Sequence, residues 1–402
     1  MPAQNKHNTT PESGHACAAM NATVSRSSPR RLATACALAW WLASTPVAFA
    51  GETSTGPLLG ADLGALIDHA LEHNPSLRAS RMDAAAARER TRSATALPDP
   101  QIELELMDLS NAMNPGRSAS VLPGRVGTTS WRATQMLPYP GKRALRGELA
   151  QAQAAASEAE LLQTRLEVEA AIRRAYIAHY QAARQSQILG ESMALNDSLT
   201  ELALSRYARG LAAQQEVLML QAERTALRIE ALELERSRTS ARVRLNALLR
   251  RSPDAPLAEP QALPPAPAPL AMATLIERAR LRSPQLWKTH AELRAAGHSS
   301  ALTQRERYPD LGVSLANNRP RGGRDSWDLR LEISLPLQQA SRRAQEREAA
   351  HAQSAAEARH QAADTRLAEA LGEAYATMLA RTEQVRLVQG ALLPQNQASL
   401  ES

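Results

Sequence analysis

His69-Ala70-Leu71-Glu72-His73 is the stretch whose residue types and spacing most resemble a chemical site. It fits the H-x-x-E-H spacing of inverted zinc peptidases. Two imidazoles four residues apart share one face of a helix, as a zinc ion requires. The surrounding framework recurs 209 residues later, where Leu66, Ile67, Ala70, Pro75 and Leu77 become Leu275, Ile276, Ala279, Pro284 and Leu286. The recurrence reads Arg278-Ala279-Arg280-Leu281-Arg282, so every candidate ligand is replaced while the apolar positions persist. No partner acid stands out downstream on a comparable helix. A solvated helix end is therefore expected here, with no catalytic residue and no metal. Walker loops, dinucleotide glycine patterns and nucleophile elbows do not occur, and Gly322-Gly323 lies in a loop without phosphate-binding context. No cofactor is expected.

The elements that position this stretch are duplicated. A period near 200 residues is too long for a solenoid repeat and implies two copies of one architecture. Composition agrees with long helices: 22% of residues are charged, 44% apolar and only 3% aromatic, with Phe49 the sole phenylalanine. Small and straight-chain residues favour thin helices with close seams. Arg30-Arg31, an apolar run from Leu32 to Ala43 and Ala48-Phe49-Ala50 read as a secretory signal over residues 1–50, cut between Ala50 and Gly51. Its apolar run is too short for a mature membrane helix, and the long stretch before Arg26 leaves Met20 as an alternative start. Both cysteines, Cys17 and Cys36, precede that cut, so the mature chain is expected to hold no disulfide and no lipidated cysteine. Arginine and glutamate are interleaved without a basic block bearing aromatic platforms, which argues against nucleic-acid binding.

The first copy is expected over residues 51–251. An apolar helical period from about Ala61 to Leu97 breaks at Pro75, and Pro98-Asp99-Pro100 ends it. Gln101 to Leu106 alternates polar and apolar, a strand signal. After a Gly/Pro/Ser/Asn loop over 109–125, a second strand covers about 127–137. A helix then runs from Gly141 to about Arg209, and another from about Ala213 to Arg250. A Pro-rich linker spans 252–270. The second copy, 271–402, repeats the order: a helical pair over 271–307 broken at Pro284, a strand near 310–317, a loop from Asn318 to Ser326, a strand over 328–335 and a helix from Gln338. Tyr176 and Tyr375 occupy matching places. On that match the second copy would turn near residue 406, beyond Ser402. It is thus expected to be incomplete, lacking its turn and returning helix, and to assemble or gate poorly as given.

Strands of 8–10 residues with one Leu/Ile face and one Glu/Asp/Arg/Ser face suit a tilted membrane-spanning barrel. They equally describe soluble hairpins packed on helices, and from the strands alone that soluble arrangement is favoured. If they span lipid, four strands cannot close a barrel, because about eight is the smallest common count. Open edges are not tolerated in hydrocarbon. Helices roughly 100 Å long also need neighbours for their apolar stripes. Both requirements point to a closed cyclic oligomer.

The signal, the two-fold repeat, the paired strands between very long helices and the helical hairpin resemble the TolC-like outer-membrane efflux channels. Arg206-Tyr207-Ala208-Arg209-Gly210-Leu211, followed by Glu216-Val217-Leu218 and Gln221-Ala222-Glu223, is similar to that family's periplasmic tip. Leu137-Pro138-Tyr139-Pro140-Gly141-Lys142-Arg143, with Leu145-Arg146, resembles the strand-to-helix junction of its heavy-metal branch. The resemblance implies a mainly α fold with a small β part, in which four transmembrane strands per chain join a homotrimeric barrel and the helices form a periplasmic tunnel. It implies docking of a periplasmic adaptor at the tip (Arg206, Tyr207, Gly210, Leu211). It also implies a barrel-to-tunnel junction at Pro138, Pro140, Gly141, Lys142, Arg143 and Pro336. Partners would be outer-membrane lipid, the adaptor and an inner-membrane resistance-nodulation-division pump exporting metal cations. Competing readings are a periplasmic adaptor, which also carries a helical hairpin, and a zinc peptidase.

Overall fold

The computed structural model describes residues 59–401 apart from 114, 115, 117 and 265–267. The expected signal and its cleavage residues Ala48, Ala50 and Gly51 lie outside the described residues. Two short helices open each copy, α1 (Leu63–His73) and α2 (Pro75–Thr95) in the first. Asn74 separates them: its side chain accepts from the amides of Ser76 and Leu77, while Pro75 supplies a first helical residue whose missing N–H is not needed. The strands β1 (Gln101–Met107) and β2 (Thr128–Leu137) follow, then α3 (Lys142–Ala208) and the returning α4 (Gln214–Leu248).

The second copy gives α5 (Met272–Arg282), α6 (Pro284–Arg305), β3 (Asp310–Pro320), β4 (Ser326–Ser334) and α7 (Gln339–Leu387). A π-turn over Val388–Leu392 leads into α8 (Leu393–Glu401). Pro394 explains the π-turn: it has no amide for the preceding turn, and one wider turn accommodates its ring without breaking the helix. β3 runs three residues further than its alternation suggested, to Pro320, because β2 extends to Thr128 and pairs with it.

All four strands form one antiparallel sheet in the order β1-β2-β3-β4, so the central ladder joins the two copies. α3 is the second joint. It packs against α1, α2 and α4 of its own copy and against α6 of the other. That crowding explains its composition: Ala150, Ala152, Ala154, Ala159, Ala175, Ala182 and Ala203 are all buried, and small residues let backbones approach on several sides. Gly147 is one such place, since a Cβ there would lie 2.6 Å from Thr95 Cγ2.

The apolar core sits where Leu66 and Ala70 of α1, Val168, Ile172, Ala175 and Tyr176 of α3, and Leu245 and Leu249 at the end of α4 meet. The Pro-rich stretch is tied down beside it. Ala258 N donates to Leu59 O at 3.0 Å and Gln261 N to Ala61 O at 3.0 Å. The Tyr176 hydroxyl donates to Ala61 O at 2.8 Å, and Asn246 Nδ2 donates to the carbonyls of Pro253 and Ala255.

The soluble-hairpin arrangement is corrected by the structure. Among the described residues no helix covers the Leu/Ile face of the sheet: Ile102 is 76% exposed, Leu331 70%, Leu329 69% and Trp327 67%. The alternation therefore does not come from packing on helices. Among the described residues no helix is long and apolar enough to cross a membrane.

Candidate functional site

Strand register assigns every side chain to a face, because directly paired residues point the same way and neighbours alternate. One face carries Ile102-Ala133-Leu315-Leu329, then Leu104-Trp131-Asn317-Trp327, with Gln135-Val313-Leu331 and Leu137-Leu311-Ile333 towards the helices. The other carries Glu103, Glu105, Arg132, Ser130, Asn318, Asp328, Arg330 and Glu332. Polar groups are paired on that second face. Arg132 lies 3.0 Å from Glu103 and 3.5 Å from Glu105, and Ser130 donates to Asn318 at 2.6 Å. β1 and β4 leave two unpaired edges in this sheet.

All four helix connections enter one end of the sheet. There the junction residues meet across the two copies. Pro138, Tyr139 and Pro140 cross from β2 to α3, and Tyr139 stacks on Tyr308 at 4.6 Å. Gly141 caps α3 at φ +91°, and a Cβ there would meet Arg305 Nη1 at 2.5 Å. Arg305 Nη1 donates to Pro140 O at 3.1 Å. Lys142 is 3% exposed, and its ammonium donates to Tyr308 O and to Asp310 Oδ1, both at 2.8 Å. The amide of Tyr139 reaches the same carboxylate at 2.7 Å. Arg143 donates from Nε and Nη2 to Thr95 O at 3.0 and 2.6 Å, satisfying the end of α2. Pro336, after β4, lines the cleft beside Lys142, Asp310 and Arg342. Asp310, the first residue of β3, is the partner of Lys142.

At the far end α3 closes in a Schellman turn. Leu211 N donates to Arg206 O and Gly210 N to Tyr207 O, both at 2.9 Å, with Gly210 at φ +73°. Tyr207 and Leu211 are exposed at 45% and 63%. Leu199, Leu202, Ala203, Arg206, Glu216 and Met219 line a groove behind the turn.

His69 and His73 lie together at the end of α1. Their rings stack at 4.3 Å, and His73 Nδ1 lies 2.9 Å from His69 O, within one exposed helix end. Among the described residues no group of three or more His, Cys, Asp or Glu is placed to hold a metal ion.

The sequence reading missed the organisers of the β1–β2 loop. Asp108, at φ +54°, accepts from the amides of Ala112 and Met113 and from the Ser110 hydroxyl. Those bonds to the charged form hold its carboxyl below the usual carboxylate value. Asn111, 2% exposed, donates to Ser118 O and Arg125 O. Asp108 and Asn111, turn-favouring residues just past the strand alternation, were the available signal.

The fold is thus a two-faced open sheet continued at one end by very long helices. The family model "Outer membrane efflux protein" matches residues 66–250 and 275–402. The chain belongs to that family. It is similar in fold to the outer-membrane channel OprN, with TM-score 0.68 and 21% identity over 84% of this chain and 79% of that one. It is similar to VceC from Vibrio cholerae, with TM-score 0.60 and 22% identity over 84% and 82%. The likeness to CusC has TM-score 0.61 and 17% identity over 84% and 79%. No curated protein matches the chain. Membership makes the protein an outer-membrane transport component and not an enzyme, which displaces the peptidase and adaptor readings.

Proposed function

We propose that the chain is a passive export conduit that acts as a homotrimer, in which β1 of one copy pairs with β4 of the next and three sheets close a twelve-strand barrel. The observation that carries this is the sheet itself: one contiguous apolar face left bare, one ion-paired polar face and two open edges. In a barrel the bare face meets lipid and the polar face lines the lumen. The helices then extend into the periplasm, residues 1–50 direct secretion, and the duplicated units 51–251 and 271–402 with the linker 252–270 build the tunnel wall. The exposed turn at Arg206, Tyr207, Gly210 and Leu211 docks a periplasmic adaptor that couples the channel to an inner-membrane resistance-nodulation-division pump. The junction sequence Pro138 to Arg143 supports heavy-metal cations as cargo.

Paired cysteines test the assembly, because the chain has no cysteine beyond Cys36. Single cysteines along β1, combined with Leu329→Cys on β4, are expected to give disulfide-linked species up to three copies in isolated outer membranes. Monomers alone at every β1 position would contradict it. Cargo is tested by metal accumulation in cells lacking their own channel; unchanged accumulation, with drugs exported instead, would remove the metal assignment.

A further inference from the structure

The bare face of the sheet changes character towards its hairpin loops. Aliphatic rows give way to Leu104-Trp131-Asn317-Trp327, where both tryptophans share one row. The next row is Leu106-Thr129-Arg319. The Arg321 amide donates to Gly127 O at 2.9 Å, which carries the ladder one row further and sets Arg321 on the same face. Two rows beyond the tryptophans, about 13 Å along a strand, the surface has passed from apolar through aromatic to cationic. That is the order of a bilayer from hydrocarbon through interface to headgroup.

The cationic end is built, not frayed. Arg321 Nη1 also donates to Arg125 O, which fastens the β3–β4 turn to the β1–β2 loop. Gly322 turns the chain at φ +83°, and Arg324, in the same β3–β4 connection, is exposed. The acidic groups nearby do not neutralise the cluster. Asp325 lies 3.4 Å from Arg319 Nε, and both side chains remain more than half exposed. Arg319 Nε also donates to Asn317 Oδ1 at 2.8 Å. Asp108 is occupied by amides of its own loop, and Asp328 is on the opposite face, accepting from Asn318. Asp325 is thus the carboxylate paired with Arg319, while Arg321 is bonded to a backbone carbonyl.

We propose that Arg319, Arg321 and Arg324 form a binding site for the phosphate groups of an outer-leaflet lipid whose acyl chains lie along the Trp131–Trp327 row. Guanidinium forks bind phosphate through parallel, charge-assisted bonds, and the tryptophans fix the depth at which the arginines meet the headgroups. The site rests on the sheet being membrane-embedded, as proposed above.

The test uses the full chain in nanodiscs of zwitterionic phospholipid with or without bis-phosphorylated lipid A, with retained lipid read by native mass spectrometry. Wild-type protein is expected to retain lipid A, and the triple variant Arg319→Gln/Arg321→Gln/Arg324→Gln to lose retention roughly tenfold. Arg319→Gln and Arg324→Gln singly spare the Arg321 loop contacts and are expected to lose part of it. Arg330→Gln, on the polar face, should retain lipid fully. Dephosphorylated lipid A should bind the wild type no better than the triple variant. Equal retention by wild type and triple variant would overturn the site, and so would saturation by millimolar inorganic phosphate in the absence of lipid A. Quenching of tryptophan fluorescence by brominated lipid, in a Trp287→Phe background, reports membrane insertion separately. Quenched protein without phosphate dependence removes the lipid site alone, whereas unquenched protein removes the membrane reading beneath it.

Discussion

The same residues are buried to different depths in the two copies. Leu66 and Ala70 are fully buried in α1, while their counterparts Leu275 and Ala279 in α5 are only half-buried. Tyr176 is 2% exposed and hydrogen-bonded, while Tyr375 is half-buried. The second helix of each pair behaves alike, with Leu77 at 2% and Leu286 at 7%. The difference therefore lies in what covers the first helix. In the first copy the end of α4 brings Leu245 and Leu249, and the Pro-rich linker brings Leu257. Among the described residues no returning helix lies against α7. The repeated apolar pattern sets which face can be buried; the elements packed over it decide how deeply.

That comparison is broken or sharpened most strongly by matched truncations. Leu66→Ala is expected to lower stability by about 3 kcal/mol, since a fully enclosed leucine leaves a cavity. Leu275→Ala should lower it by about 1 kcal/mol. Circular-dichroism melts of the two variants read this, and equal losses would mean the copies are equally packed. Next comes the joint between copies. Asp310→Asn leaves the Lys142 ammonium buried without its carboxylate, and is expected to cost about 2–3 kcal/mol. A melt unchanged within error would show that the junction does not hold the copies together. Gly210→Ala forces a side chain into positive φ and should cost about 1 kcal/mol. Gly190→Ala, mid-helix with open space around it, should be neutral or stabilising by about 0.5–1 kcal/mol. The reverse order would contradict the tip geometry. The smallest effect belongs to the second copy's ion pair. Arg280 reaches Asp364 through two bonds of 2.8 and 2.7 Å, but both are solvated. Arg280→Gln is expected to leave the melt unchanged, and a clear loss would make α5 more dependent on that pair than on its apolar face.

Much of this was legible in the residues. Pro75 and Pro284, the alternation of Gln101–Leu106 and Asp328–Leu335, and Gly210 each encode local geometry that no tertiary contact overrides. Long-range partners were not legible. Nothing local links Lys142 to Asp310, or the Tyr176 hydroxyl to Ala61 O. Both pairings arise because the β2–β3 ladder and the α3 seams bring distant segments together. The soluble-hairpin expectation failed for the same reason: alternation shows that two faces differ but not which medium each one meets.

The claim that decides the account is that the Leu/Trp face of the sheet meets lipid and its opposite face meets water. Single cysteines from Trp327 to Ile333 on β4, treated with a membrane-impermeant maleimide in intact outer membranes, measure it directly. Positions 328, 330 and 332 should label and 327, 329, 331 and 333 should be protected, with a period of two. Uniform labelling along β4, or protection of the polar positions instead, would contradict it.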